Sequence, residues 1–232
     1  MMRYALYYAP RPDSALWSAG CRWLGRDAAS GGLPPRPEVD GVGAVEFAAL
    51  TGAAARYGWH ATLKAPFAPG PDVGEDALLR RTAELAAGFE RFALPLRVDW
   101  LDRFLALRPA APPPELAELA AACTVALAPL ADRGEPIKAR DGLDARQRAL
   151  YRRWGYPYVF EQFRFHLTLS ADVERDSATA RALELGARRH FDGLLDDVVV
   201  DGIALFVEPE AGGPFRCLAY CGFDGEVRRH GD

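Results

Sequence analysis

Two tetrads in this chain set a histidine two residues before a threonine and three before a leucine: His60-Ala61-Thr62-Leu63 and His166-Leu167-Thr168-Leu169. The chain has four histidines and six threonines, so residue frequencies give a chance double occurrence of roughly one in ten thousand. A lone His-x-Thr is more often a packed strand histidine than a catalyst, and the weight lies in the pair. A strand sends alternate side chains to one face. His60, Thr62 and Lys64 would then share a face in the first tetrad, and Arg164, His166 and Thr168 in the second. Each face offers an imidazole, a hydroxyl and a cation, which are the donors a phosphate group needs. Imidazole titrates near pH 6.5, so two of them can hold opposite protonation states near neutrality. One would take a proton from water as it attacks phosphorus and the other would give one to the leaving oxygen, each worth typically ~10²–10⁴-fold. Thr62 and Thr168 would donate to the non-bridging oxygens while Lys64 and Arg164 supply positive charge. This chemistry requires no metal and no cofactor, and neither tetrad contains an Asp or Glu to serve a metal.

Other polar residues carry less. Tyr57 and Tyr156 are secondary candidates for lining the pocket or touching phosphate, although aromatic side chains with a polar tip are common beside any cleft. Lys138, Arg140, Arg146, Arg148, Arg152 and Arg153 form a basic stretch, which reads first as a solvated helix face. His190 falls on the apolar side of a helix and His230 in the polar tail, so both are assigned to structure or solvent. Cys21, Cys123, Cys217 and Cys221 lack C-x-x-C spacing and read as reduced thiols in the interior.

The tetrads need a scaffold, and hydrophobic periodicity supplies one. Tyr4 to Ala9 reads as a strand, and Asp13 or Ser14 caps a short helix bearing Leu16, Trp17 and Trp23. Residues 29–43, with Gly31-Gly32, Pro34-Pro35 and Pro37, form a long loop, either a surface insertion or a lid. Helices are expected around Ala44 to Ala55 and over Glu75 to Phe89, with strands near Ala93 to Trp100 and Arg103 to Leu107. Another helix carries Leu116, Leu119, Ala120, Cys123, Leu127 and Leu130, and a polar one runs from about Asp144 to Arg153. The second tetrad lies in a strand over Phe163 to Ser170, followed by a helix from roughly Ser177 to His190. Ile203, Leu205 and Val207 alternate on a strand, and Phe215, Cys217, Ala219, Cys221 and Phe223 share a face of the last one. The halves 57–110 and 163–223 thus repeat one plan, tetrad strand, helix and strand pair, which reads as a degenerate duplication with two similar lobes in one domain over 1–232.

Bulk properties set the limits. The net charge is −4 over 232 residues, so no general field attracts large nucleic acids. No run approaches the roughly 18 apolar residues of a membrane span, and no basic head precedes an apolar core at the start. A cytoplasmic monomer acting on a small phosphorylated substrate is the expectation.

The paired tetrads resemble the two-histidine (2H) phosphoesterase superfamily, which includes RNA 2′,3′-cyclic phosphodiesterases and ligase-like proteins. The wider segments Tyr57-Gly-Trp-His-Ala-Thr-Leu-Lys-Ala-Pro-Phe67, Trp154-Gly-Tyr-Pro-Tyr158 and Phe163-Arg-Phe-His-Leu-Thr-Leu169 are similar to the DUF1045 branch, associated with bacterial phosphonate-utilisation operons. The resemblance implies an α+β fold, bilobal and pseudo-twofold, with antiparallel β-sheets, helices outside and a central cleft. It also implies a cyclic phosphodiesterase acting on a 2′,3′-cyclic nucleotide or a ribosyl cyclic phosphate. The histidines lie 166 − 60 = 106 residues apart, further than in compact members, and the inserted Pro-rich turn and helices are expected to reshape the pocket. Competing readings are RNA end processing or ligation, a nucleotide-binding module without chemistry, and a metal-dependent hydrolase. The acidic net charge weighs against the first, two intact tetrads against the second, and the missing carboxylates against the third.

Overall fold

A computed structural model describes residues 1–132, 134 and 140–230. The chain opens with β1 (Arg3–Tyr8) and α1 (Ala15–Leu24). Ser14 Oγ caps that helix by accepting from the Trp17 N–H, and Gly25 ends it at φ 67°, a conformation that suits a residue without Cβ. Then come α2 (Ala44–Tyr57), β2 (Ala61–Phe67), α3 (Glu75–Ala86), β3 (Phe92–Ala93), β4 (Leu96–Leu101) and β5 (Phe104–Pro109). α4 (Pro114–Leu127) begins on a proline, where a missing N–H is harmless. α5 (Ala145–Trp154) starts with a reciprocal capping box between Asp144 and Gln147. β6 (Leu167–Thr168), α6 (Ala178–His190), β7 (Val199–Val200), β8 (Gly202–Glu208), β9 (Arg216–Gly222) and β10 (Val227–Arg229) complete the chain.

Prolines account for two departures from the sequence reading. The strand expected over Ala93 to Trp100 is split at Pro95, which lacks a ladder donor; β3 pairs with β7 while β4 joins a separate sheet. α4 stops before Pro129 and continues only as a short 3₁₀ turn, Ala128–Leu130. The second tetrad is also less regular than expected, with only Leu167–Thr168 on a ladder.

The fold is α+β with antiparallel strand pairing throughout the two larger sheets. A five-stranded sheet has the order β10-β9-β8-β1-β2, and a three-stranded sheet has the order β4-β5-β6. The two halves exchange partners to build them. β4 and β5 follow the first tetrad yet share a sheet with β6 of the second, β5 pairing with it, whereas β8 and β9 follow the second and join β1 and β2 beside the first. The repeat is close in spacing: β4 begins 96 − 60 = 36 residues after His60, and β8 begins 202 − 166 = 36 after His166. Each sheet thus carries one tetrad, and a single hydrophobic core runs through both, from Leu6 and Leu205 to Leu107 and Leu167. All seven residues of β8 are buried, because this strand lies inside the sheet with both faces covered.

The 29–43 loop is anchored. Arg36 donates to the Leu24 carbonyl, and Val39 is buried against Gly186 of α6. Among the described residues no helix is long and apolar enough to cross a membrane.

Candidate active site

His60 sits at the mouth of β2, at the end of a tightly determined approach. Gly58 ends α2 with φ 86° and ψ 179°, a region essentially reserved for glycine. A Cβ there would lie 2.7 Å from the Ala28 Cβ. Trp59 is fully buried, stacked on Phe191 with ring centroids 5.5 Å apart, and α1 passes so close that only Gly20 fits against its indole. The next ring is thereby fixed. His60 Nδ1 lies 2.9 Å from the Gly58 carbonyl oxygen. A carbonyl can only accept, so Nδ1 carries the proton and Nε2 presents its lone pair. Thr62 Oγ1 stands 3.4 Å from that Nε2. Tyr7 and Tyr57 flank the imidazole, with ring centroids 3.9 and 5.9 Å away.

His166 repeats this arrangement from the other sheet. Its Nδ1 lies 2.8 Å from the Arg164 carbonyl oxygen, again two residues upstream, so its Nε2 is also the free nitrogen. Phe104 meets the ring edge-on at 5.4 Å. Burial pushes the His60 pKa down to about 4, with the Gly58 carbonyl opposing and the charge of His166 assisting. Burial also lowers His166, against the pull of the Arg164 carbonyl and with help from the Arg108 cation. Both imidazoles are therefore neutral in the free protein at pH 7, and they are close enough for the charge of one to bear on the other.

A cavity of about 460 Å³ has Thr62, His166, Arg164 and Tyr156 among its lining residues, with Phe104 and Gln162. Residues of both tetrads thus meet at one opening. Tyr156 follows Gly155, which ends α5 at φ 75° and turns the chain toward this space. Arg164 is well exposed, and its guanidinium lies 3.7 Å from Asp102 in the β4–β5 turn. Thr168 is half-buried on β6 opposite Ala106.

Lys64 departs from the sequence reading. Tyr7 pairs with Thr62 and Leu6 with Lys64, leaving Leu63 as an extra residue. Residues opposite each other on a ladder share a face, and successive residues of β1 do not. The bulge at Leu63 therefore puts Thr62 on the Tyr7 side and Lys64 on the Leu6 side, ending the shared face. Lys64 is buried at 5 % exposure, 4.9 Å above the Phe67 ring, and lines a second cavity of about 360 Å³ that also touches Tyr156. A similar bulge at Leu218, where Leu205 meets Ala219 and Phe206 meets Cys217, breaks the face expected to hold Phe215 through Phe223.

The basic stretch divides. Arg140 lies over the rings of Tyr156 and Tyr158, Arg146 pairs with Glu161, and Arg152 and Arg153 border the second cavity; Lys138 lies outside the described residues. His190 bonds the Ala19 carbonyl at 2.9 Å beside Trp23. All four cysteines are free and buried.

Two residues near the histidines carried no sequence signal. Tyr7 stands far upstream of either tetrad. Arg108 becomes relevant through pairing: Ala106 meets Thr168 and Leu107 meets Leu167, so one further step brings Arg108 opposite His166. Its Nη1 is held by Asp99 at 3.0 Å and the Trp100 carbonyl at 3.2 Å. Knowing that β5 pairs with β6 would have revealed it.

A family model described as "Protein of unknown function (DUF1045)" matches residues 62–216, more than half of the chain. Two curated relatives are both named Ribose 1,5-bisphosphate phosphokinase PhnN. The one from Laribacter hongkongensis (strain HLHK9) is 47 % identical over 218 residues, covering 93 % of this chain and 50 % of that protein. The one from Janthinobacterium sp. (strain Marseille) is 36 % identical over 237 residues, covering 99 % of this chain and 52 % of that protein. The chain thus spans about half the length of these relatives. Among solved structures, E. coli LigT complexed with 3′-AMP aligns over 100 % of this chain and 99 % of that one, at 16 % identity and a TM-score of 0.41.

Proposed function

The chain belongs to the DUF1045 family, and from that premise and the site's geometry we propose that it is a metal-independent phosphoesterase opening a small cyclic phosphate by two-histidine acid–base catalysis. The observation that carries the reading is the matched pair of imidazoles. Each has its Nδ1 proton engaged by the carbonyl two residues upstream, which leaves Nε2 as the lone-pair nitrogen for proton transfer.

In this reading water attacks phosphorus and gives its proton to one Nε2, while the P–O bond to the sugar breaks and that oxygen takes a proton from the other. His60, depressed to about 4 by burial, serves as the base. His166, lining the cavity, serves as the acid, and the substrate's negative charge favours its protonated form. Thr62 and Thr168 donate to the non-bridging oxygens. Arg164 and Tyr156 border the substrate space, and Tyr57 braces His60. Lys64, across the bulge, adds positive charge from behind the strand rather than a direct contact.

Between a cyclic nucleotide and a ribosyl cyclic phosphate, the relatives' names favour the second. Opening a ribosyl cyclic phosphate yields a ribose phosphate, the chemical class named in ribose 1,5-bisphosphate phosphokinase. A role in phosphonate metabolism is part of this proposal.

The test is turnover of 2′,3′-cyclic nucleotides and of ribose 1,2-cyclic phosphate in EDTA by wild type, His60→Ala and His166→Ala. Turnover by wild type that both variants lose supports the reading. Turnover that EDTA abolishes, or that survives in a folded variant, sinks it.

A further inference from the structure

Tyr7 is 1 % exposed in the middle of β1, and its phenol oxygen is neither held by a protein partner among the described residues nor one of the fully sealed polar atoms. A phenol oxygen that keeps access to space and has no protein partner is available to a ligand. Its surroundings indicate which one. Tyr7 is the ladder partner of Thr62 and shares its face, and Thr62 lines the cavity that holds His166. The Tyr7 ring lies against the His60 imidazole at 3.9 Å. Tyr156 lines that same cavity, and the Tyr57 ring flanks His60 at 5.9 Å.

The three phenols are not equivalent. Tyr57 is engaged, its oxygen accepting from Arg56 Nη1 at 3.2 Å, while that guanidinium is held by Glu208. Tyr156 reaches the same region from the turn after α5 and also lacks a protein partner for its hydroxyl among the described residues. Burial raises the pKa of both Tyr7 and Tyr156, so each keeps its proton and can only be a neutral donor to an anion. One phenol against His60 and another at a cavity bordered by both tetrads suit an oxygen that bears negative charge.

We infer that the Tyr7 hydroxyl, with that of Tyr156, binds a substrate phosphoryl oxygen over His60, making Tyr7 a further residue of the site. This rests on reading the site as one for phosphoryl groups. The ring of Tyr7 positions His60 and its hydroxyl touches substrate, so the two parts are separable by substitution.

Tyr7→Phe keeps the ring and removes only the hydroxyl. Inorganic phosphate is titrated into wild type and Tyr7→Phe while the ring resonances of His60 and His166 are followed by NMR, and Tm is measured for both. The expected result is phosphate affinity lower by about 10- to 100-fold, the loss of one hydrogen bond to a charged group, with Tm within a few degrees of wild type because no protein hydrogen bond is lost. Tyr7→Leu, which also removes the ring, should additionally shift the His60 pKa. Equal phosphate affinity in Tyr7→Phe, or no phosphate binding by wild type, overturns the inference. So does a fall in Tm beyond a few degrees, which would give the hydroxyl a structural role. Weakened phosphate binding with no cyclic-phosphate turnover by wild type would keep the inference and reject the proposed reaction. Turnover that needs both histidines, with Tyr7→Phe unchanged in affinity and kcat, would do the reverse.

Discussion

Replacing Gly58 by alanine tests whether the chain before His60 is built to aim that imidazole. The backbone there has φ 86° and ψ 179°, and placing an L-residue in this region costs about 1–3 kcal/mol. The new methyl would lie 2.7 Å from the Ala28 Cβ, and relieving such an overlap in a packed interior costs about 1–3 kcal/mol more. The sum, about 2–6 kcal/mol, is a large part of the stability of about 5–15 kcal/mol that a domain commonly has. At about 2–4 °C per kcal/mol for a chain of this size, Tm should fall by about 4–24 °C. The Gly58 carbonyl is also the acceptor for His60 Nδ1, so any relief by backbone movement turns the imidazole. Calorimetry and urea titration read the first effect, and turnover well below Tm reads the second. Gly52→Ala is the control. That position lies inside α2 with open space around it, and alanine should stabilise by roughly 0.5–1 kcal/mol. If Gly58→Ala matched wild type in both Tm and turnover, the reasoning about His60 would be wrong.

Further outcomes follow from the same geometry. His60 has its pKa lowered from 6.5 to about 4, so between these values the unfolded chain binds the proton and the folded one does not. Stability should therefore fall as pH drops from 6.5 to 4, by about 3 kcal/mol from this group; urea midpoints should show a shallower fall in His60→Gln, and identical slopes would contradict the assignment. With a base near 4 and an acid lowered from 6.5, kcat/KM should peak on the acid side of neutrality, and a peak above pH 7.5 would contradict the roles given to the two histidines. Arg108→Gln removes a cation that disfavours charged His166, so the basic limb of kcat/KM should move to higher pH, beside a small fall in Tm from the lost Asp99 and Trp100 contacts; a fall in Tm with the limb in place would make Arg108 purely structural.

Much of the fold was legible because its elements carry local signals. The cap at Ser14 and the helix starts near Asp144 and Ser177 are written in the sequence and recur in the structure. Both tetrads could be located for a similar reason, since residue type and spacing identify them without knowledge of packing. What the sequence hid was pairing. A bulge leaves no mark on a run such as Ala61-Thr62-Leu63-Lys64-Ala65, whose alternation looks unbroken, yet it sends Lys64 to the opposite face. The exchange of strand pairs between halves is a long-range choice that depends on how two sheets close one core. Tyr7 and Arg108 came to light only through such pairings, across ladders that join distant parts of the chain. Gly58 stood in view beside His60, although its role depends on Ala28, thirty residues upstream.

The central claim is that His60 and His166 act as one unit on one phosphoryl group. The most direct measurement is kcat for His60→Ala, His166→Ala and the double variant, all shown to be folded, on the cyclic phosphate that wild type opens. Groups that act as a unit give non-additive losses. The account requires each single variant to lose at least about 10²-fold, and the double variant to fall no more than about tenfold below the poorer single one. A folded single variant within tenfold of wild type, or losses that multiply in full, would contradict it.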